Sequence, residues 1–385
     1  MKTEELDYTL PEELIAQTPI EPRDSSRLLV LHRETGALEH RSFRDIVEYL
    51  RPGDLLVANE SRVMPARLFA HKTPGGGKVE VLLLRHLEGN RWRALVGGAR
   101  TRVGTRLQFY AEFEEGKDEG ERGRGGEGEV APDPSAPLRL CVENTPVEPL
   151  TAEVVETGER GEREVVFDAP VEDYFDALGV MPLPPYIHRR LEDPERYQTI
   201  YSHTLGSAAA PTAGLHFTPD LLLRLREQGV GLAFVTLHVG LDTFRPVTEE
   251  TLEAHAIHSE WCSLSPEVAA QINRTKVMGG RVVAVGTTSV RVLETAARHG
   301  LLQTPDAACP WRPLSPYEGF TRLYITPGFQ FRVVDTLITN FHLPKSTLLA
   351  LVMAFAGEDL IRRAYAEAIA RRYRFFSFGD ATLIV

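Results

Sequence analysis

The stretch Thr218-Pro-Asp-Leu-Leu-Leu-Arg-Leu-Arg-Glu-Gln-Gly229, followed at once by Leu232-Ala-Phe-Val-Thr-Leu237, decides the fold class. Thr218 is a helix-capping residue with Pro219 in the first turn, the leucines after it supply an apolar face, and Gly229 stops the helix. The apolar run that follows reads as a strand buried on both faces, the pattern of a parallel sheet covered by helices. A helix that runs back across such a sheet begins at the edge where strands end. That edge is the usual ligand crevice of an α/β protein. Here it is bracketed by two histidine-bearing runs, Ala210-Pro-Thr212-Ala-Gly214-Leu-His216-Phe217 and Thr236-Leu-His238-Val-Gly240-Leu-Asp-Thr243-Phe-Arg245.

Two more runs share this design. Arg281-Val-Val-Ala-Val-Gly286-Thr287-Thr288-Ser289-Val290-Arg291 is a buried strand that runs into a glycine and three hydroxyl residues, then a helix predicted over Val290 to Arg298. Free backbone N–H groups and hydroxyls at such a turn suit an anion or a carboxylate, and the alternative is simple helix capping by Thr288 or Ser289. The run lacks the GxxxxGK[ST] and GxGxxG patterns, so no nucleoside-triphosphate or dinucleotide site follows from it. In the other, Asp335-Thr-Leu-Ile-Thr339-Asn340-Phe341-His342-Leu343-Pro344-Lys345-Ser346, a strand ends in a constellation of Asn340, His342 and Lys345. Each of these alone would more often be a surface turn residue.

Between these α/β portions the rhythm changes. Val63 to Phe69, Lys78 to Leu84, Arg91 to Val96, Arg106 to Tyr110, Leu138 to Val142, Leu150 to Val155 and Arg163 to Phe167 read as short strands separated by turns, the signature of a small barrel. The expected architecture is a larger α/β domain, residues 1–60 and 156–385, interrupted by a small inserted β-barrel domain at 61–155. Asn59, Arg62 and Arg67 fall at the expected junction, a common place for substrate, with a hydrogen-bonded hinge as the alternative. The acidic, glycine-rich run within 112–137 reads as a disordered surface loop without chemistry.

At 385 residues and 43% hydrophobic content, the chain can bury a large core. Its three cysteines, Cys141, Cys262 and Cys309, form no CxxC pair, which argues against a disulfide framework or a cysteine zinc site. No apolar run has signal-peptide or membrane-spanning length, so a cytoplasmic enzyme is the expectation. The net charge of −11 sits in residues 112–168, which hold 17 acidic and 6 basic side chains, leaving the remainder balanced. Arginine clusters at 85–106 (Arg85, Arg91, Arg93, Arg100, Arg102, Arg106) and 362–374 (Arg362, Arg363, Arg371, Arg372, Arg374) are either phosphate contacts or, more commonly for such clusters, solvated faces. His255, His258 and Glu260 make an HxxHxE spacing. It is not the HExxH zinc pattern, and a strand is expected to start near Ser259, so proton transfer is favoured over metal binding and no metal is expected.

Taken together, MPLPPYIHR (181–189), YQTIYS (197–202), APTAGLHF (210–217), VTLHVGLDTFRPV (235–247), HAIHSE (255–260), VGTTSVRVLE (285–294), ITPGFQF (325–331), LITNFHLPKSTLL (337–349) and YRFFSFGDA (373–381), with NESRVMPARL (59–68) and KVEVLLL (78–84), closely resemble the S-adenosylmethionine:tRNA ribosyltransferase-isomerase family of queuosine biosynthesis. The resemblance runs nearly end to end. It implies an α/β domain with an inserted barrel, and transfer and isomerisation of the ribosyl part of S-adenosylmethionine onto 7-aminomethyl-7-deazaguanine (preQ1) at the tRNA wobble position. Epoxyqueuosine-tRNA, adenine and methionine would be the products. S-adenosylmethionine is then a consumed co-substrate, no resident cofactor is expected, tRNA is the partner, and a monomer is expected. The sulfonium acidifies the C5′ hydrogens, so such chemistry wants a base near neutrality and a proton for departing adenine. His238, first, then His216, His258 and Glu260 are the candidates for those roles. Asn59, Arg62, Arg67, Thr212, Gly214, Gly240, Thr243, Arg245, Gly286, Thr287, Thr288, Ser289, Arg291, Asn340, His342 and Lys345 are the candidate substrate contacts. The competing classes are another S-adenosylmethionine-dependent tRNA-modifying enzyme, such as a methyltransferase, and a non-catalytic tRNA-binding protein.

Overall fold

The computed structural model describes all residues except 99–100, 112–139, 143–144, 148, 159–160, 241–245 and 304–313. The acidic run within 112–137, Arg100, Thr243 and Arg245 therefore lie almost wholly or wholly outside the described residues. Contacts divide the chain into two compact units, one made of Met1–Val63 with Leu183–Val385 and the other of Met64–Pro182. The architecture is mixed α/β with a closed antiparallel barrel.

The first unit is built on a nine-stranded sheet. Across it run Tyr317–Thr321, Glu260–Leu264, Gly231–Leu237, Leu55–Asn59, Val282–Val285, Thr336–Asn340, Ala381–Ile384, Arg27–Leu31 and Leu38–Ser42. The four strands from Gly231–Leu237 to Thr336–Asn340 are mutually parallel. Their residues alternate between two cores, because successive side chains of a strand point to opposite faces. Leu55, Val57, Val235, Leu237 and Ala284 join one core, whereas Leu56, Ala58, Val283, Val285 and Ile338 join the other. Burial on both faces explains the continuous apolar runs read in the sequence.

The expected helix after Thr218 forms as Pro219–Glu227, with the Thr218 hydroxyl accepting the Leu221 N–H at 3.2 Å. The helix predicted over Val290 to Arg298 instead covers Gly286–Gln303. Gly286 has φ of +83°, a conformation open to glycine, so the chain turns from strand to helix with no intervening loop. Thr287, Thr288 and Ser289 are thus first-turn helical residues rather than a loop. Phe43–Glu48 forms a six-residue 3₁₀ turn, started by the Asp45 carboxylate accepting the Ser42 N–H.

In the second unit six strands close a barrel in the order Thr151–Thr157, Glu162–Phe167, Arg91–Val96, Lys78–His86, Arg67–Thr73 and Arg106–Tyr110. Two strand expectations need correction. The run Val63 to Phe69 is not one strand. Ser61–Val63 pairs in parallel with Thr204–Ser207, and the barrel strand begins only at Arg67, because Pro65 lacks the N–H that a continuous ladder requires. Leu140–Val142 is not a barrel stave either; its ladder is with Thr145–Val147 in a separate ribbon. Inside the barrel Leu68, Ala70, Val81, Ala94, Leu107 and Val165 are fully buried. Of the arginine clusters, Arg91 and Arg93 face Glu164, Arg106 faces Glu153 and Arg371 faces Glu367, the pattern of solvated ion-paired surfaces. Among the described residues no helix is long and apolar enough to cross a membrane.

Candidate active site at the carboxyl edge of the sheet

The four parallel strands end at Leu237, Asn59, Val285 and Asn340, and the residues that follow or close them gather at one edge. An open cleft lies there. Its lining includes Thr212 from the first histidine run, Val239 from the second, Gly286, Thr287 and Thr288 from the helix start, and Asn340 and His342 from the third run. Four motifs far apart in sequence therefore meet in one cleft. The first-turn N–H groups of the Gly286–Gln303 helix are free of intrahelical partners and carry the positive end of its dipole. The Thr288 hydroxyl beside them is buried without a hydrogen-bond partner. Ser289 is different, because its hydroxyl donates to the Val285 carbonyl at 2.7 Å and is spent on the helix start.

His216 is not poised to take a proton. Its Nδ1 lies 2.8 Å from Ser26 Oγ and its Nε2 3.1 Å from Asn340 Nδ2, while its ring stacks on Phe43. Asn340 Oδ1 accepts from Thr212 Oγ1 at 3.0 Å, which leaves the Asn340 amide N–H₂ to donate to Nε2. A neutral ring must then carry its hydrogen on Nδ1 and donate to Ser26. Burial, reinforced by the positive charges of Arg374 and Arg23, pulls its pKa down to about 3. His216 thus orients Asn340 and Thr212, both of which line the cleft. His342 is held similarly, by Thr339 Oγ1 at 3.1 Å and Tyr365, and burial lowers its pKa to about 3.

His238 is the contrasting case. It follows the Gly231–Leu237 strand directly, its ring stacks on Trp261 with centroids 5.1 Å apart, and its Nδ1 is buried with no hydrogen-bond partner. Burial lowers its pKa, so the ring is a free base at neutral pH. His258 is exposed. Among the described residues no cluster of three or more His, Cys, Asp or Glu side chains could hold a metal; His255 of the HxxHxE run pairs with Glu249 at 2.8 Å instead.

A model of the family described as "Queuosine biosynthesis protein" matches residues 3–384. The chain belongs to the queuosine biosynthesis family. It is 51% identical over 388 residues to the S-adenosylmethionine:tRNA ribosyltransferase-isomerase of Symbiobacterium thermophilum, the match covering 100% of both chains. The protein of the same name from Clostridioides difficile is 48% identical over 387 residues, again covering 100% of each. The crystal structure of an S-adenosylmethionine tRNA ribosyltransferase from Thermotoga maritima is similar with a TM-score of 0.51 and 39% identity, covering 99% of this chain and 100% of that one.

Within this member of the queuosine biosynthesis family, the remaining candidates divide by environment. Glu260 is fully engaged. Its Oε1 accepts the Gly240 N–H at 2.9 Å, and its Oε2 pairs with the buried Arg291 guanidinium, whose pKa burial lowers to about 10. Breaking such a buried pair strands a charge. Arg291→Met is expected to cost about 3–5 kcal/mol in urea unfolding, and Glu260→Gln in the same chain to recover much of it. If the double variant were no more stable than Arg291→Met, the carboxylate would not be the stranded charge.

Asn59 is fully buried, bonded to the Leu237 backbone and the Ser61 N–H, and braces the edge from below. Gly214 is confined because a Cβ there would lie 2.1 Å from Tyr201 Oη. Arg62 contacts Ser202 and Glu195, and Lys345 reaches Asp7 at 2.8 Å; neither lines the cleft. Arg67 belongs to the barrel unit, where it faces Glu80 at 3.1 Å. Sequence reasoning missed Tyr186, Phe376 and Ser377, which line the cleft and of which Tyr186 and Ser377 join by a 2.7 Å hydrogen bond. They sit in the MPLPPYIHR and YRFFSFGDA runs, which carried the resemblance without a role being assigned to any side chain.

Proposed function

We propose that this chain is an S-adenosylmethionine:tRNA ribosyltransferase-isomerase. It transfers the ribosyl moiety of S-adenosylmethionine to the aminomethyl nitrogen of 7-aminomethyl-7-deazaguanine at the tRNA wobble position and isomerises the sugar to an epoxycyclopentane, releasing adenine and methionine. The observation that carries this reading is the convergence of four family motifs on one cleft, with a neutral imidazole, His238, unpartnered at Nδ1, next in sequence to the cleft residue Val239.

The sulfonium of S-adenosylmethionine makes its C5′ hydrogens acidic, and removal of one begins the elimination that expels adenine. His238 takes that proton and is the group able to return one to adenine. The helix start at Gly286–Thr288 receives the methionine carboxylate, because free N–H groups and a dipole end favour an anion there. Thr212 and Asn340, held by His216, hydrogen-bond the sugar, and His342 remains a neutral polar wall. S-adenosylmethionine is consumed, tRNA carrying the modified base is the second substrate, and the chain acts as a monomer.

Incubation with S-adenosylmethionine and tRNA bearing the aminomethyl base, followed by mass spectrometry of nucleosides and small products, tests this. Adenine, methionine and an epoxycyclopentane nucleoside are the expected products. A methylated nucleoside with S-adenosylhomocysteine would replace the proposal with methyl transfer. Binding without any product would reduce the chain to a tRNA-binding protein.

A further inference from the structure

The His238 ring packs against two residues that are not part of the cleft lining. Trp261 lies nearly parallel to it, at 18° and 5.1 Å between centroids, and its carbonyl accepts the His238 N–H at 3.0 Å. Gly206 meets the same ring so closely that an added Cβ would stand 2.7 Å from Cε1, 2.8 Å from Nε2 and 3.0 Å from Nδ1. Contact with three atoms at once places the Gly206 α-carbon over the imidazole. Gly206 also has φ of +141°, so backbone conformation and close approach both demand glycine there.

The backbone around the ring is tied on both sides. Ser207 Oγ accepts the Val239 N–H at 2.9 Å, and the Ala208 N–H reaches the Val239 carbonyl at 3.0 Å. On the other side Glu260 accepts the Gly240 N–H, and Arg291 holds Glu260. The segment 238–240 is thus fixed from two elements. The ring has no hydrogen bond at Nδ1 to orient it. Most histidine bases are aimed by such a bond. Here shape must do that work.

We propose that Gly206 and Trp261 form a clamp that sets the orientation of the His238 ring by packing, making both of them positioning residues for the proton transfer. The inference rests on the reading of His238 as the base. A Cβ at 206 forces the ring to tilt or shift. An error of about 1 Å at a reacting group costs on the order of 10²-fold in rate. Gly206→Ala should therefore lower kcat by about 10²-fold and leave KM for S-adenosylmethionine within about 3-fold, since the ring is not a ground-state contact. Trp261→Ala should lower kcat by about 10-fold or more, whereas Trp261→Phe, which keeps a flat face, should restore most of it.

Steady-state kinetics on the full chain with S-adenosylmethionine and substrate tRNA, after circular dichroism has verified folding, read this out. Should Gly206→Ala fail to fold, the contrast between Trp261→Ala and Trp261→Phe decides alone. Equal kcat in the two tryptophan variants, or a folded Gly206→Ala of ordinary kcat, overturns the clamp while a collapsed His238→Gln rate keeps the base. A His238→Gln enzyme of ordinary kcat overturns both.

Discussion

His238→Gln is expected to lower turnover by about 10³-fold on saturating substrates, within the 10²–10⁴-fold range that a positioned general base contributes. Glutamine preserves most of the ring's volume and leaves the Trp261 and Gly206 contacts occupied, so the loss reports chemistry more than packing. The residual rate should exceed background, because the variant leaves untouched the helix start and the Asn340–Thr212 pair proposed to hold the substrate. Burial holds the His238 pKa below the ordinary imidazole value of 6.5. The protonated ring cannot accept a proton. The wild-type rate should accordingly break downward as pH falls below 6.5, and the residual rate of the variant should lack that break. Initial rates of adenine release over pH 5–9 give both readings. Turnover near the wild-type value in both His238→Gln and His238→Ala would remove the residue from the reaction.

What made the carboxyl edge legible was backbone chemistry. Thr218-Pro219 and Gly229 bound a helix, Gly286 ends a strand, and the apolar runs between them suit strands covered on both sides. The barrel was legible from its turn-separated strands, except where Pro65 split one strand and where Leu140–Val142 paired locally. The difference among the histidines was not legible. His216 and His238 sit in similar runs of small residues, yet one is tied at both nitrogens and the other is buried without a partner at Nδ1. The distinction comes from Ser26, 190 positions away in the chain, and from Asn340, 124 away. No local pattern marks either. Glu260 and Arg291 likewise appeared as a proton-transfer group and a ligand contact, and only the pairing of strand against helix shows that they neutralise one another.

Acidification should destabilise the protein steeply between pH 6.5 and 3, with His216 and His342 as the main histidine sources. Both have folded pKa values of about 3, set first by burial, against about 6.5 when the chain is unfolded. A depressed folded pKa means that the unfolded chain binds the proton first. The stability these groups confer is therefore fully present above pH 6.5 and is withdrawn as pH falls toward 3. Each withdraws about 1.4 kcal/mol per pH unit in that window, so the two together remove on the order of 4 kcal/mol by pH 5. That is a large share of the ~5–15 kcal/mol that typically holds a domain folded. Glu294 and Asp380, whose buried carboxyls are pushed upward, act with the opposite sign, so the wild-type slope is a sum. Comparison with His216→Asn and His342→Asn isolates the histidine part. Each variant should lose about 1–3 kcal/mol at pH 7 through the altered hydrogen bonds. Each should also lose less on acidification, its unfolding taking up about one proton fewer than wild type in urea titrations at pH 7, 6 and 5. Parallel pH slopes in wild type and both variants would show that neither imidazole is kept neutral by folding. That result would also reopen His216 as a titrating base, since the fixed tautomer between Ser26 and Asn340 is what excludes it.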